Sequence, residues 1–180
     1  IRQVNLQKIN AMSSVIYHKL TGKKETLEIN YILKQASEEE TQDNSQDSAQ
    51  IVYFYLNELK KRRKLDLLRG YTSIGPHRDD LLIKVDGNNL RAFGSQGQQR
   101  SAALALKLAE VEFIKETKEE YPVLLLDDVM SELDENRRQQ LLSFINGKVQ
   151  TFITLNDKKL VENLVESKYF KVEKGSIKEE

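Results

Sequence analysis

Two adjacent carboxylates, Asp127 and Asp128, follow a short run of branched apolar residues at positions 123–126. A run of this length is typical of a strand buried on both faces in a parallel sheet. Acids at the carboxyl end of such a strand lie where open α/β sheets bind ligands. Mg²⁺ is commonly held by one or two carboxylates together with substrate phosphates. The pair therefore indicates a magnesium site, although a buried strand followed by a solvated acidic turn would give the same pattern.

A second candidate is the stretch at residues 94–99, which contains two glycines and directly precedes a run of good helix formers. A helix amino terminus presents unpaired N–H groups and a partial positive charge, so it can bind a phosphate. Ser95 can supply a hydroxyl, and Gly97 lets the backbone approach a ligand closely. The alternative is structural, because Ser95 is also an ordinary capping residue and glycines form tight turns.

A third candidate is a basic run in the middle of a predicted helix, formed by Lys60, Lys61, Arg62, Arg63 and Lys64. Such a run could contact nucleic-acid phosphates, but it is more often a solvated helix face. The 180 residues include 28 Lys plus Arg and 28 Asp plus Glu, so the net charge is zero. A contact with nucleic acid would therefore have to come from local patches.

The periodicity of apolar residues predicts the elements that position these candidates. Helical spacing predicts helices over residues 2–20, 51–69, 100–119, 135–144 and 157–167. Alternating or continuous apolar runs predict strands over residues 27–33, 81–85, 90–93, 123–126 and 149–155, with a closing hairpin over 170–177. Residues 37–50 are acidic and polar and are expected to form a mobile loop. The alternation of strands and helices in the second part predicts an α/β fold with part of a parallel sheet.

Composition excludes several classes of protein. The chain has no cysteine and only two histidines, His18 and His77, which excludes a disulfide scaffold and argues against a zinc site. No apolar run approaches the length of a membrane span, and no signal peptide opens the chain. We therefore expect a cytosolic setting without a membrane partner. The chain begins in mid-pattern without Met, which we interpret as a piece of a longer protein.

Three of these segments together resemble the motifs of ABC-type ATPases. Residues 94–99 resemble the signature motif, the strand ending at Asp127 and Asp128 resembles Walker B, and Ser131-Glu-Leu-Asp134 resembles the D-loop. Residues 75–80, 93–100 and 125–141 are similar to the RecF family of bacterial recombination mediators. The specific motifs lie within residues 71–155, whereas residues 1–70 match loosely. We therefore expect a helical lobe at 1–70, with one strand and the acidic loop, and half of an ATPase head at 71–180.

The resemblance implies a function and partners. It implies an ATP-dependent DNA-binding protein of the bacterial cytoplasm that acts at single-strand gaps and at junctions of single- and double-stranded DNA. The resemblance further implies that such a protein works there with RecO and RecR to load the recombinase. It also implies an ATP-dependent homodimer with slow hydrolysis, in which each nucleotide lies between the two heads. The alternatives are a non-catalytic DNA- or protein-interaction module and the head of another SMC-like ATPase.

The resemblance also implies roles for individual residues. The signature segment, defined as Ser95, Gln96, Gly97 and Gln98, would meet the γ-phosphate of ATP held by the other subunit. Within its own subunit, Asp127 would hold Mg²⁺ and Asp128 would position the attacking water. Ser131 and Asp134 would line the dimer seam, and Thr154 would take the switch position at which many relatives have histidine.

The chain departs from the ABC pattern in two respects. It contains no Gly-x4-Gly-Lys-Ser/Thr sequence, so the P-loop half of the head is expected to precede Ile1. The fragment alone is therefore expected to bind ATP poorly and to be inactive. Asp128 is one methylene shorter than the glutamate usual in transporters, and this shorter reach predicts slow hydrolysis.

Overall fold

The computed structural model describes residues 2–22, 24–33, 48–161 and 167–179. The helices in these ranges are α1 (Arg2–Leu20), α2 (Ser48–Arg69), α3 (Leu90–Phe93), α4 (Gln96–Lys118) and α5 (Glu135–Ile145), with 3₁₀ turns at Val129–Glu132 and Lys158–Val161. The strands are β1 (Leu27–Ile32), β2 (Asp80–Val85), β3 (Asn88–Asn89), β4 (Leu124–Asp127), β5 (Thr151–Thr154), β6 (Phe170–Glu173) and β7 (Ser176–Glu179). Most of the predicted acidic loop, residues 37–47, lies outside the described residues.

The strands form three small sheets. β1, β2 and β3 pair antiparallel in that order, and β6 pairs antiparallel with β7. β4 and β5 are parallel, with α5 as the crossover between them. Parallel strands need such a crossover because a tight turn can join only antiparallel neighbours. The predicted α/β class with a parallel pair of strands is confirmed.

The core is centred on α4, whose buried stripe mixes small and large residues. Ser101, Ala102, Ala105 and Ala109 are buried beside Leu108. Small side chains let another helix approach closely, and α1 packs along this stripe. Tyr17 and Leu20 of α1, Leu126 of β4, Met130, and Leu141 and Leu142 of α5 belong to the same apolar cluster. Thus one core joins the end of β4 to the amino-terminal helix.

The antiparallel sheet joins segments on both sides of the expected domain boundary at residues 70–71. All six residues of β1 pair with β2, from Leu27 opposite Val85 to Ile32 opposite Asp80. The side chain of Asn10 in α1 accepts a hydrogen bond from the backbone N–H of Ile29 at 2.8 Å. The amino-terminal segment is therefore tied to the rest by a continuous ladder, and the division at 70–71 stays a prediction.

The segment at 90–93 corrects one prediction. The β2–β3 turn uses Asp86 and Gly87, both with positive φ, as the sequence indicates. The chain then forms the short helix α3 rather than a longer returning strand. The side chain of Asn89 accepts hydrogen bonds from the backbone N–H groups of Arg91 and Ala92, and this cap begins the helix immediately after two strand residues.

The parallel pair corrects a second prediction, since β4 is not buried on both faces within the described part of the chain. Leu126 is buried, whereas Leu125 is 72% exposed and Phe152 in β5 is 56% exposed. One face of the pair therefore packs on the core, and the opposite face presents apolar side chains. Of the predicted helix over 157–167, the described part is the 3₁₀ turn Lys158–Val161, and residues 162–166 lie outside the described ranges.

Helix α2 also leaves apolar side chains exposed. Tyr53, Leu67 and Leu68 are 70%, 74% and 85% exposed, respectively. Among the described helices, each one is too short or too polar to cross a lipid bilayer.

Candidate nucleotide-binding site

Asp127 and Thr154 lie opposite each other at the carboxyl ends of β4 and β5. They are partners in the parallel register, so their side chains emerge at the same edge of the sheet. The hydroxyl of Thr154 donates a hydrogen bond of 2.5 Å to Asp127 Oδ1. Both residues are exposed. The structure thus brings together the predicted metal ligand and the predicted switch residue.

Asp128 follows in a tight turn with φ 50° and ψ 18°. A residue with a side chain rarely adopts this left-handed conformation, which asparagine and aspartate tolerate better than most. The turn is held from both sides. The backbone N–H of Asp128 donates to Thr154 Oγ1 at 3.0 Å, and the hydroxyl of Ser131 donates to the Asp128 carbonyl at 2.9 Å. The Asp128 side chain is exposed beside Asp127.

The donor set at this edge fits a hard divalent cation. Asp127 Oδ1 already accepts a hydrogen bond from the Thr154 hydroxyl, which leaves Oδ2 as the carboxylate oxygen on which a cation would be held. The described residues include no group of three or more His, Asp or Glu side chains that could enclose a metal ion. A site with one or two carboxylates suits Mg²⁺, which keeps waters and takes phosphate oxygens as its remaining ligands.

The signature segment forms the amino terminus of α4, and its cap is reciprocal. Ser95 Oγ accepts a hydrogen bond from the Gln98 N–H at 3.2 Å, and Gln98 Oε1 accepts one from the Ser95 N–H at 2.9 Å. This capping box explains why the helix begins at Gln96 rather than at Arg100. Ser95 and Gln96 are exposed. The structural interpretation of Ser95 as a cap is therefore correct, and its hydroxyl proton remains available to a ligand.

The two glycines of this region have different surroundings. A Cβ atom at Gly94 would lie 2.5 Å from both the carbonyl oxygen and a side-chain carbon of Leu90. A Cβ atom at Gly97 would meet its nearest neighbour, the guanidinium of Arg137, only at 3.8 Å. Gly94 is therefore required by the packing of the chain itself. The packing of the described residues makes no such demand at Gly97.

Two contacts join the signature segment and its helix to the D-loop region of the same chain. Arg100 in α4 forms an ion pair with Glu132 at 3.6 Å. A Cβ atom at Gly97 would lie 3.8 Å from the guanidinium of Arg137. Arg137 also bonds Asp134, which caps α5 by accepting from the Arg137 N–H at 2.9 Å. The amino-terminal turns of α4 therefore lie beside Glu132, Asp134 and Arg137 of the D-loop region.

Sequence reasoning missed two residues of this site. Arg137 reaches the signature segment, and its Nε atom is buried with no hydrogen-bond partner among the described residues. The spacing of Asp134 and Arg137, three apart at a helix start, is a local signal that could have indicated their pairing. Glu25 accepts a hydrogen bond from Gln98 across 73 residues of sequence, and no local pattern predicts that contact.

The loop before β2 has a structural role. Asp79 accepts hydrogen bonds from the hydroxyls of Tyr31 in β1 and Tyr55 in α2. Burial, together with the bond to Asp79, raises the pKa of both phenols. Arg78, whose role the sequence left open, lies over the ring of Tyr71, 5.7 Å from its centre. Asp79 thus connects the amino-terminal segment to the strand that follows it.

The basic run lies on α2 and is partly neutralised by its own helix. Lys61 and Arg62 pair with Glu58 at 2.6 and 3.5 Å, and these contacts, Lys61 foremost, lower the pKa of Glu58. Lys60, Arg63 and Lys64 are exposed. A role in DNA binding stays a prediction for this run.

Comparison with solved structures agrees with this geometry. The chain superimposes on the recombination mediator protein RecF with ATP, with a TM-score of 0.77 and 37% identity, over 99% of this chain and 46% of that one. A RecF structure with an ATP analogue gives a TM-score of 0.73 at 34% identity, covering 99% and 45% of the two chains. An SMC ATPase is similar in fold alone, with a TM-score of 0.59 at 16% identity. The chain therefore has the fold of part of an ABC-type ATPase head.

Sequence comparison narrows that class. DNA replication and repair protein RecF of Natranaerobius thermophilus is 44% identical over 153 residues, which is 85% of this chain and 40% of that protein. RecF of Ruminiclostridium cellulolyticum is 44% identical over 171 residues, covering 94% and 44%. No family model matches the chain. The chain belongs to the RecF family, and it spans less than half the length of these relatives.

Proposed function

We propose that this chain is part of a DNA repair ATPase of the RecF type, in which ATP joins two heads. The observation that carries the proposal is the surface formed by the signature segment together with Arg137 and Asp134. Its helix amino terminus is exposed, and a Cβ atom at Gly97 would meet its neighbours only at ordinary contact distance. RecF relatives of 34–37% identity have been solved with ATP or an analogue, which supports a nucleotide as that ligand.

The residues of this chain would contribute to two different nucleotide sites. In its own subunit, Asp127 would hold Mg²⁺, which when bound neutralises charge on the triphosphate oxygens. Asp128 would orient the attacking water, because its side chain follows the metal ligand in a turn that Thr154 and Ser131 hold in place. In the partner's site, the signature segment would donate its hydroxyl and helix N–H groups to the γ-phosphate.

This arrangement would make ATP a switch for association. A nucleotide that contacts both heads binds the dimer better than the monomer, so it shifts the population toward the dimer. At a concentration of one hundred times its dissociation constant, each such ligand stabilises the state that binds it by about 2.7 kcal/mol. Two nucleotides per dimer could therefore change the fraction of dimer strongly, and hydrolysis would release the partners.

Sedimentation of the intact protein with and without ATP tests the proposal. We expect ATP to produce dimers in the wild type, and Ser95→Arg to prevent this by placing a long cation in the phosphate position. Asp127→Asn should weaken the dimer by removing the metal ligand. Ser176→Arg is a matched control because Ser176 is an exposed residue of β7, outside the proposed surface. A wild type that stays monomeric at saturating ATP would refute the proposal.

We also propose that the dimer binds DNA at single-strand gaps in the bacterial cytoplasm and acts there with RecO and RecR to load the recombinase. The exposed cations Lys60, Arg63 and Lys64 support a phosphate contact. Replacing these three by Ala should reduce the slope of log affinity against log salt by up to about three, because each phosphate contact contributes about one. An unchanged slope would exclude this run from the DNA interface.

A second candidate is a non-catalytic interaction module in the amino-terminal 70 residues. The exposed apolar side chains of α2, including Leu67 and Leu68, favour it. Salt-dependent DNA binding by the chain without ATP, unaffected by Asp127→Asn, would support this alternative over the ATP-driven switch.

A further inference from the structure

A carboxylate outside the ATPase motifs contacts the signature segment. Glu25, in the segment between α1 and β1, is half-buried. Its Oε1 accepts a hydrogen bond from Gln98 Nε2 at 3.1 Å, and its Oε2 accepts one from the Tyr17 hydroxyl at 2.7 Å. Tyr17 is fully buried in α1, so the second contact fixes the carboxylate to the core. Glu25 thus connects α1 to the amino terminus of α4.

The chemistry of Glu25 dictates which way the Gln98 amide points. An ionised carboxylate can only accept hydrogen bonds, so the NH₂ group of Gln98 must face Glu25. The amide oxygen of Gln98 then faces the Ser95 N–H, to which it bonds at 2.9 Å. That bond is one half of the capping box, and the other half engages the Ser95 hydroxyl oxygen. The orientation of one amide therefore determines how the signature serine is presented.

We propose that Glu25 is a positioning residue for the signature segment. It holds Gln98, which in turn holds Ser95, so that the serine hydroxyl proton and the helix N–H groups are set for a phosphate before the partner head arrives. Because Tyr17 anchors the carboxylate, a displacement of α1 would be passed to the nucleotide contact. This inference rests on the proposed function for its consequence in dimerisation, but the contact itself is independent of nucleotide.

The protonation state of the Tyr17 phenol supports its role as the hydrogen-bond donor to Glu25. Burial, and then the hydrogen bond to Glu25, raise the pKa of the Tyr17 phenol above its ordinary value. The phenol therefore keeps its proton at physiological pH and remains a donor to Glu25.

Hydrogen exchange of the intact protein without nucleotide tests the contact. An amide at position 25 can present either its donor or its acceptor to Gln98, so Glu25→Gln should release the Gln98 orientation. We expect the Ser95 and Gln98 amides to exchange about tenfold faster, the effect of losing a capping interaction of about 1.4 kcal/mol. Glu28→Gln, the same change on an exposed residue of β1, should leave these amides unchanged.

Swapping the side chains at positions 25 and 98 distinguishes a positioning role of Glu25 from a general effect on stability. Gln98→Glu alone brings two carboxylates together and should also accelerate exchange. Combined with Glu25→Gln, the new amide donates to the new carboxylate and still accepts from Tyr17, while the new carboxylate accepts from the Ser95 N–H. Protection should then return. Equal acceleration throughout the protein in Glu25→Gln, or no rescue in the double variant, would overturn the inference.

Dimerisation of the intact protein tests the consequence. For Glu25→Gln we expect the protein concentration at which half of the chains are dimeric in saturating ATP to rise about tenfold. The ATP affinity of the monomer should stay close to wild type, and the unfolding midpoint should fall by only about 3–6 °C, as expected for the loss of one capping interaction. Added to Gln98→Ala, Glu25→Gln should have no further effect, because it acts through Gln98. Wild-type dimerisation in Glu25→Gln would overturn the positioning role. A wild type that fails to dimerise, with the exchange results as expected, would instead refute the proposed function.

Discussion

Alanine at Gly94 and alanine at Gly97 are expected to have opposite effects on stability. A methyl group at Gly94 would lie 2.5 Å from the carbonyl oxygen of Leu90, and a backbone atom cannot move aside cheaply. We expect Gly94→Ala to cost about 1–3 kcal/mol, the usual range for overpacking. Its backbone φ of −72° is ordinary, so the loss comes from contact and not from conformational strain.

Gly97 lies in the first turn of α4, and a methyl group there would have 3.8 Å to its nearest neighbour. Gly97→Ala should therefore stabilise the helix by about 0.5 kcal/mol through lower conformational entropy of the unfolded chain. The same methyl group would occupy space in which the partner's nucleotide is proposed to lie. Gly97→Ala should thus be the more stable protein and the poorer ATP-dependent dimer.

Thermal unfolding and sedimentation of the intact variants together test this pair. For a domain of this size, 1 kcal/mol shifts the midpoint by about 2–4 °C, so Gly94→Ala should unfold several degrees lower and Gly97→Ala slightly higher. An unchanged midpoint for Gly94→Ala would refute the close packing at the α3–α4 junction. Full ATP-dependent dimerisation of Gly97→Ala would refute the approach of a ligand to this helix end.

Three further predictions concern single side chains. Thr154→Val removes both hydrogen bonds to the Asp127–Asp128 turn. It should lower Mg²⁺-dependent hydrolysis about tenfold and reduce the free energy of unfolding by about 1 kcal/mol. The control Thr151→Val, at the other end of β5, should leave hydrolysis unchanged. Asp128→Asn should reduce single-turnover hydrolysis by about a hundredfold or more, and undiminished hydrolysis would exclude its role with water. Because the pKa of Tyr17 is raised in the folded state, its contribution to stability is complete below about pH 10 and is lost as the pH rises toward the folded-state pKa. The free energy of unfolding of Tyr17→Phe should therefore fall less steeply above about pH 10 than that of the wild type. Equal slopes for the two proteins would contradict this.

Strong local signals allowed much of the fold to be predicted. The periodicity of α1, the helix formers of α4 and the parallel pair at residues 123–126 and 149–155 were all found in the structure. Gly87 and Gly175 lie in tight turns, where the chain needs positive φ. These features depend on residues within a few positions of one another, which is the range over which sequence patterns carry information.

The errors have specific physical causes. Residues 90–93 contain apolar side chains suitable for a strand, but the Asn89 cap makes a helical turn locally favourable. The apolar run of β4 suggested burial on both faces, yet a run of this kind does not specify which face other elements cover, as exposed Leu125 shows. The coverage of a strand is decided by distant segments.

The candidate site was predicted in part. Asp127 was selected from the end of an apolar strand and Thr154 from the family resemblance, and the structure places them in register with a hydrogen bond between them. The contacts of Glu25 and Arg137 with the signature segment were missed, because each depends on how α1 and α5 pack against α4. Their roles are positional, and motif spacing carries no information about such supports.

The signature segment of one subunit is proposed to complete the nucleotide site of the other. Ser95→Arg damages the signature, and Asp127→Asn damages the metal ligand, so each homodimer carries its defect in both sites. A mixed dimer collects both defects in one site and leaves the other intact.

ATP hydrolysis by an equimolar mixture of the two inactive variants of the intact protein measures this directly. Each mixed dimer has one working site of two, so at protein concentrations that form mixed dimers we predict a rate well above that of either variant alone and at most about half of the wild-type rate. A mixture no more active than the average of the two variants alone would contradict the account, because it would mean that both motifs serve the same subunit.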